Sequence, residues 1–323
     1  MSLDVDQIVD RRRLRRKLTF WRVVGVLAVV AAVAVGSYVA VGRTVLASSP
    51  HVARVVIGGI IRNDRDRVKM LEEIGRSNAR AVIVSIDSPG GTVTGAEQLY
   101  DALRQLAAKK PVVAVVEGMA ASGGYIAAIG SDHIVSRRNA MVGSIGVIFQ
   151  FPNVTDLLGK IGVTVEDIKS SPLKAAPNGY QPTSPEARAA INSLVVDSYG
   201  WFKGLVSERR KLSDARLAEV SDGRVFTGHQ GLALQLVDEL GDERTARAWL
   251  AREKGIPENL RVRTWKSESM GSEFGWLRGA AGAIASALGF DTVAGILSQA
   301  TQAAFEKAQL DGLLALWQAP AQN

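Results

Sequence analysis

The sequence predicts an α/β domain, and three observations predict it. From Val52 to about Gly255, short β-rich runs alternate with stretches of helical periodicity, the pattern of strands interleaved with helices. Two glycine-rich segments each follow an apolar run and precede a helical one, where such folds place their ligands. Hydrophobic residues make up 47% and charged residues 22%, the balance of a chain that folds. At 323 residues one main core is expected, because single cores stop growing near roughly 250 to 300 residues.

The elements can be justified in order. His51 to Ile57 reads as a strand, and Arg65 to Gly75 as a helix with Val68, Leu71 and Ile74 on one face. Ala81 to Ile86 is an unbroken apolar run, expected as a buried strand, and Thr94 to Ala108 is helical. Val112 to Val116 is a further strand, and the small residues from Ser122 to Ile129 form a closely packed helix. Ile134-Val135 and Val147-Ile148 are short strands. Pro152 to Tyr180 is irregular and ends in turn signals at Ser171-Pro172 and Pro177-Asn178-Gly179. Ser184-Pro185-Glu186 carries an N-cap, a first-turn proline and an early acid, so a long helix starts there and runs to about Lys211. Helices begin near Ser213, Gly228 and Asp242, the last ending before Gly255-Ile256-Pro257. Residues 266–323 are rich in glycine and alanine and are expected as a helical tail serving assembly or membrane contact.

The N-terminus has its own chemistry. Residues 1–22 hold seven Lys/Arg against three Asp, which accounts for +4 of the formal charge of +7. The remainder is only mildly basic, so no nucleic-acid partner is expected. An uncharged run from Val23 to Val41 follows, close to the roughly 20 residues of a spanning helix and longer than a signal-peptide core. The expected organisation is a cytoplasmic basic segment at 1–22, a transmembrane anchor at 23–42, an exported domain at 43–265 and the tail at 266–323. A cleavable signal ending near Val45-Leu46-Ala47 is the rival reading. With no cysteine, a disulfide framework, a thiolate zinc site and a cysteine nucleophile are all excluded.

Chemistry concentrates in the glycine-rich segments. Asp87-Ser88-Pro89-Gly90-Gly91 reads as a strand-to-helix loop whose glycines bring backbone amides close to a ligand, able to donate to a developing oxyanion. In Gly118 to Tyr125, Ser122 stands at a helix start with Gly123 directly after it, so its hydroxyl is exposed and the next amide faces the same point. The bland alternatives are an ordinary turn and a serine that merely caps a helix. A serine nucleophile needs a base. His51, His133 and His229 sit in contexts that suit structural or solvent roles. A lysine can serve if burial lowers its pKa from about 10.4, and spacing leaves Lys160, Lys169 and Lys174 all open.

Taken together, Asp87 to Gly91, Ala121-Ser122-Gly123-Gly124-Tyr125 and Gly143-Ser144-Ile145-Gly146-Val147 resemble the signal peptide peptidase A family in order and spacing. Ser221 to Gly228 and Leu236 to Gly241 extend the likeness, which covers roughly Val52 to Gly255. The resemblance implies a Clp/crotonase-like α/β fold and a Ser/Lys protease. It implies Ser122 as nucleophile, Lys174 as general base, Ser144 as the serine that orients the lysine, and the amides of Gly91 and Gly123 as oxyanion hole. Clp-type peptidases use a histidine some two dozen residues beyond the serine, where this chain has Gly146-Val147-Ile148. One departure lies at Ser171-Pro172-Leu173, where a proline stands beside the expected base. The chain resembles the short form of the family, so a homo-oligomeric ring with sites shared between subunits is implied.

The expectation is a membrane-anchored serine endopeptidase of the bacterial inner membrane, acting on remnant signal peptides or other peptides in or near the bilayer, with no cofactor or metal. The rivals are an envelope quality-control protease of the same chemistry, a crotonase-like acyl-CoA binder and a non-catalytic scaffold.

Overall fold

A computed structural model describes residues 21, 24, 25, 27, 49–267 and 313–316. Most of the expected anchor at 23–42 and nearly all of the tail lie outside these residues; where the tail is described, at 313–316, it is a strand and not the expected helix, and among the described residues no helix is long and apolar enough to cross a membrane. The chain divides into two compact units, Met1–Ser49 and Pro50–Asn323. In the first, Trp21, Val24, Gly25 and Leu27 are helical. The second contains the sheet and every element labelled below.

Its centre is a parallel sheet. The strands are β1 (His51–Ile61), β2 (Ala79–Thr92), β3 (Val112–Ala121), β4 (His133–Ser136), β5 (Met141–Gly143), β6 (Ile148–Phe149), β7 (Val225–Thr227), β8 (Glu239–Leu240), β9 (Val262–Trp265) and β10 (Leu313–Leu316). The parallel core runs β9-β1-β2-β3-β4-β8. Alternation along each strand sorts side chains to two faces. Ala53, Val55, Ile57, Val82, Val84, Val112 and Ala114 point into one core, while Val52, Ala81, Ile83, Val113 and Val115 point into the other. Burial on both faces explains why these strands read as continuous apolar runs rather than alternating ones.

Helices cover both faces. On the larger core lie α1 (Arg65–Arg76), α2 (Val93–Ala107), α3 (Gly123–Ile129) and α5 (Pro185–Arg210). The short α4 (Thr155–Lys160) buries none of its residues. After α6 (Asp214–Val220) and α7 (Gly228–Ala233) comes α8 (Glu243–Lys254), whose Ala246, Trp249 and Leu250 close the smaller core. The helix starts are capped by the residue types that favour caps. Asp64, Thr92, Ser184, Ser213, Thr227 and Asp242 each accept a backbone N–H of the first turn. In α5, Phe202 and Val206 are fully buried, each worth about 1.5–3 kcal/mol of apolar burial.

The expected loop at Asp87 to Gly91 is not a loop. Strand β2 continues through it, held extended because β1 stays paired alongside, Ile60 opposite Gly90 and Ile61 opposite Gly91. Register irregularities at Gly58/Ile60 and Ile86/Ser88 bend both strands, as bulges do. Past this bend β3 pairs with β5, and β7 adds antiparallel to β5. The remaining side of β2 takes β10 antiparallel, and β10 also pairs with β6.

Candidate active site

Strand β3 delivers Ser122 to the edge of this bent layer. The serine has φ 53° and ψ −116°, a conformation rare for a residue with a Cβ and one that surrounding structure must impose. Its amide donates to Gly143 O at 2.8 Å, which pins the turn to β5. Contrary to the exposed hydroxyl expected from the sequence, the residue is buried, 1% exposed, and its hydroxyl makes no capping hydrogen bond to α3. Ser122 therefore occupies the capping position without capping. Only Tyr125 and Ile126 bond back to its carbonyl, so the Gly123 amide belongs to the first-turn donors that a helix leaves without an internal acceptor.

Ser144 is its neighbour by register. Ala121 lies opposite Gly143, so the two serines leave adjacent parallel strands at the same rung, and adjacent strands run about 4.7–4.9 Å apart. Ser144 also has a left-handed φ, 52°, its amide donates to Arg224 O at 2.8 Å, and it is 8% exposed.

The glycine motif closes the other side. Ser88, fully buried, donates its hydroxyl to Gly59 O at 2.6 Å and accepts the Gly90 amide at 3.1 Å. This bracing role was not apparent in the sequence, although the serine preceding Pro-Gly-Gly was in view. Gly90 takes φ 104°, which favours glycine. At Gly91 a Cβ would stand 1.7 Å from Ile61 O, and at Gly124 it would stand 2.6 Å from Ser88 O. Glycine is needed at both places because backbone meets backbone. The Gly124 contact packs Ser88 against the first turn of α3, which begins directly after Ser122, while the Gly91 contact holds β2 against β1.

Helix α3 is buried along its whole length. Tyr125 donates to Leu236 O at 2.8 Å, and burial holds its phenol well above the ordinary tyrosine pKa. Nearby, Arg210 grips Asp238 at 2.6 and 3.1 Å, while Asp238 accepts the Ile134 amide at 2.8 Å. Desolvation is the largest influence on the Arg210 guanidinium and lowers its pKa, but the hydrogen bond to Asp238 together with the charge interactions with Tyr125 and Asp238 turns the net shift upward.

Among the described residues no lysine side chain is hydrogen-bonded to Ser122 or Ser144. Lys174 is exposed, in a turn where its amide donates to Ser171 O at 3.1 Å. Among the described residues no hydrogen bond joins its side chain to Ser122 or Ser144. Lys169 pairs with Asp167 at 2.8 Å. Around Lys174 the segment exposes Leu157, Ile161, Val163, Ile168, Leu173 and Tyr180. The histidines lie elsewhere. His51 accepts the Trp265 indole N–H, His133 stacks on Trp249 at 4.5 Å beside Asp238 and Glu239, and His229 is exposed. His133 is opposite Val113, at the far end of β3 from Ser122, about 30 Å away at roughly 3.3 Å per residue.

Comparison with known proteins shows what the chain resembles. The profile of peptidase family S49 matches residues 104–257. A Synechocystis protein named as a candidate protease is 38% identical over 216 residues, 66% of this chain and 78% of that protein. A protein of Enterococcus faecium named as a candidate signal peptide peptidase SppA is 28% identical over 72% of this chain and 71% of its own. The chloroplastic serine protease SPPA of Arabidopsis thaliana is 29% identical over 73% of this chain, which spans 35% of that longer protein.

Proposed function

The chain belongs to peptidase family S49, and from that premise we propose that it is a membrane-anchored serine endopeptidase acting through Ser122 and Lys174. The observation that carries the reading is the backbone of Ser122. A buried serine held at a left-handed φ, with its hydroxyl withheld from helix capping and flanked by two close-packed glycine segments, has no structural task that would require this arrangement.

In the proposed reaction, neutral Lys174 takes the Ser122 proton as the hydroxyl attacks the scissile carbonyl, and Ser144 orients the amine. The amides of Gly91 and Gly123 bind the oxyanion, Lys174 passes the proton to the departing amine as the C–N bond breaks, and water, deprotonated in turn by Lys174, then resolves the acyl-enzyme. A lysine acts as base near neutral pH only in a dry pocket, because desolvation disfavours the ammonium. An exposed turn does not supply such a pocket, whereas a subunit interface does. The exposed apolar residues around Lys174 support a homo-oligomer in which this segment packs on a neighbour and delivers Lys174 to the neighbour's Ser122. The apolar run at 23–41 behind a basic cluster supports an anchor that holds the domain beside its peptides, on the exported side of a bacterial inner membrane. The substrates that suit this placement are remnant signal peptides and other hydrophobic peptides at the bilayer.

The test uses the detergent-solubilised full chain, Ser122→Ala and Lys174→Ala, with a quenched hydrophobic peptide and a fluorophosphonate probe. The wild type should hydrolyse the peptide and label at Ser122, and both variants should lose hydrolysis. Full hydrolysis by Ser122→Ala refutes the assignment.

A further inference from the structure

The helix that starts beside Ser122 has few side chains to hold it in place along its axis. Four of the seven residues of α3 are glycine or alanine, Gly123, Gly124, Ala127 and Ala128, and all seven are buried. Small side chains give few ridges to key into neighbouring grooves, so they resist sliding weakly. There is nevertheless little slack at the start of α3, where a Cβ on Gly124 would stand 2.6 Å from Ser88 O. At 1.5 Å per residue the helix is only about 10 Å long. A displacement of its last turn therefore reaches Ser122 almost undiminished.

That last turn is held by arginines. Arg209, at the end of α5, donates Nε to Ile129 O and Nη2 to Ser131 O, each at 2.9 Å. Between them Arg104 of α2 donates to Gly130 O at 3.0 Å. Two cations thus take three successive carbonyls at a helix end, groups that a helix leaves without internal donors. The planar fork of Arg209 spans two of the three, so it fixes orientation as well as distance. Its neighbour Arg210 donates to Gln235 O at 2.6 Å and to both oxygens of Asp238. Leu236 O, between those two residues, accepts the Tyr125 hydroxyl at 2.8 Å. The end of α5 therefore holds α3 twice, directly through Arg209 and indirectly through the 235–238 segment.

We infer that Arg209 is a positioning residue for Ser122: by fixing the C-terminal end of α3 to α5, it sets where the serine hydroxyl and the Gly123 amide stand. Its effect on turnover rests on the proteolytic reading, whereas its effect on the placement of Ser122 does not. Lys110 makes a similar clamp elsewhere. Its Nζ donates to Ser77 O at 2.5 Å and to Ala79 O at 2.7 Å, one cation on two carbonyls, between α1 and β2 and with no bond to α3. A clamp that only adds stability behaves alike at both places. A clamp that positions the nucleophile does not, because a misplacement of about 1 Å at the reacting atoms costs on the order of 10² in rate.

The experiment compares the full-length wild type with Arg209→Gln, Arg209→Lys and Lys110→Gln in detergent, at a temperature well below the lowest of their thermal melts. On the quenched hydrophobic peptide, Arg209→Gln should lose roughly 10- to 100-fold in kcat with KM held within about twofold. Arg209→Lys keeps a cation without the fork and should lose less, and it carries the test if the glutamine variant does not fold. Lys110→Gln should melt lower yet keep kcat within about twofold of wild type. Hydrogen exchange read by mass spectrometry reports placement without turnover. Amides of residues 118–126 should exchange about fivefold faster, or more, in Arg209→Gln and at the wild-type rate in Lys110→Gln. A folded Arg209→Gln with wild-type kcat, or equal losses of kcat in Arg209→Gln and Lys110→Gln, overturns the inference. A wild type that hydrolyses nothing refutes the proteolytic reading instead, and exchange then decides: equal rates at 118–126 in all the proteins overturn the positioning role, and faster exchange in Arg209→Gln alone sustains it.

Discussion

Replacing Gly91 by alanine tests whether the glycine motif positions an oxyanion donor or merely turns the chain. The added Cβ would stand 1.7 Å from the Ile61 carbonyl oxygen and 2.5 Å from its carbon, where real contacts begin near 3.0 Å. The obstacle is backbone, paired in register with Gly91 itself, so no side chain can rotate aside. Strand β2 must therefore retreat from β1 by roughly 1.3 Å, the shortfall from an ordinary contact, and the Gly91 amide moves with it. A donor displaced by about 1 Å no longer meets the oxyanion, and losing one such donor costs about 10²–10³ in kcat, or about 2.7–4 kcal/mol. The assay is kcat and KM on a quenched peptide, with a thermal melt to confirm folding. Gly58→Ala is the control, since its Cβ meets nothing nearer than Asp87 O at 3.9 Å. A folded Gly91→Ala enzyme within threefold of wild-type kcat would refute the reasoning.

Ser88→Ala removes the brace that ties Gly90 to Gly59 and leaves the buried Gly90 amide without that partner. A loss of about 2 kcal/mol in urea unfolding is expected, together with lower kcat. Asp242 caps α8, and its hydrogen bond to the Arg244 side chain, aided by the Arg244 amide, lowers its pKa. A depressed folded-state pKa stabilises at pH above the ordinary carboxylate value and ceases to as pH falls through the folded-state value. Asp242→Asn should therefore flatten the acid limb of stability against pH below about pH 4, measured by urea melts, and an unaltered limb would show that the cap is not coupled to titration. Mixing Ser122→Ala with Lys174→Ala subunits should restore roughly a quarter of wild-type hydrolysis, as random neighbours in a ring would complete one site in four. No recovery after confirmed subunit exchange would place both residues in the same subunit's site.

Much of the fold was legible because its signals are local. The stripe of Val68, Leu71 and Ile74 announced α1, and Ser184, Ser213 and Asp242 announced three helix starts where the structure has them. Ser122 was legible from a small-residue run after a strand, and its hydroxyl is indeed not spent on the cap. The extension of β2 through Pro89-Gly90-Gly91 was not legible. Proline and glycine are turn formers by local preference, and here pairing with β1 overrides that preference at a distance of some thirty residues. Strand β10 was hidden for the same reason. Four apolar residues in a tail rich in glycine and alanine carry no periodicity, and only an open edge more than two hundred residues away makes them a strand.

The two halves of the site differ in what holds them. Ser122, Ser144, Gly91 and Gly123 are fixed by sheet register and backbone contact within one chain, so their arrangement is as rigid as the core beneath them. Lys174 rests on a turn that no side-chain bond anchors, on a segment whose apolar residues face water. As the proposed base, Lys174 would gain both its position and its dryness from whatever covers that segment. In the proposed oligomer, covering it would bury Leu157, Ile161, Val163, Ile168 and Leu173 and exclude water from the amine in a single event. Activity should then follow assembly steeply with protein concentration, rather than following the folding of individual subunits.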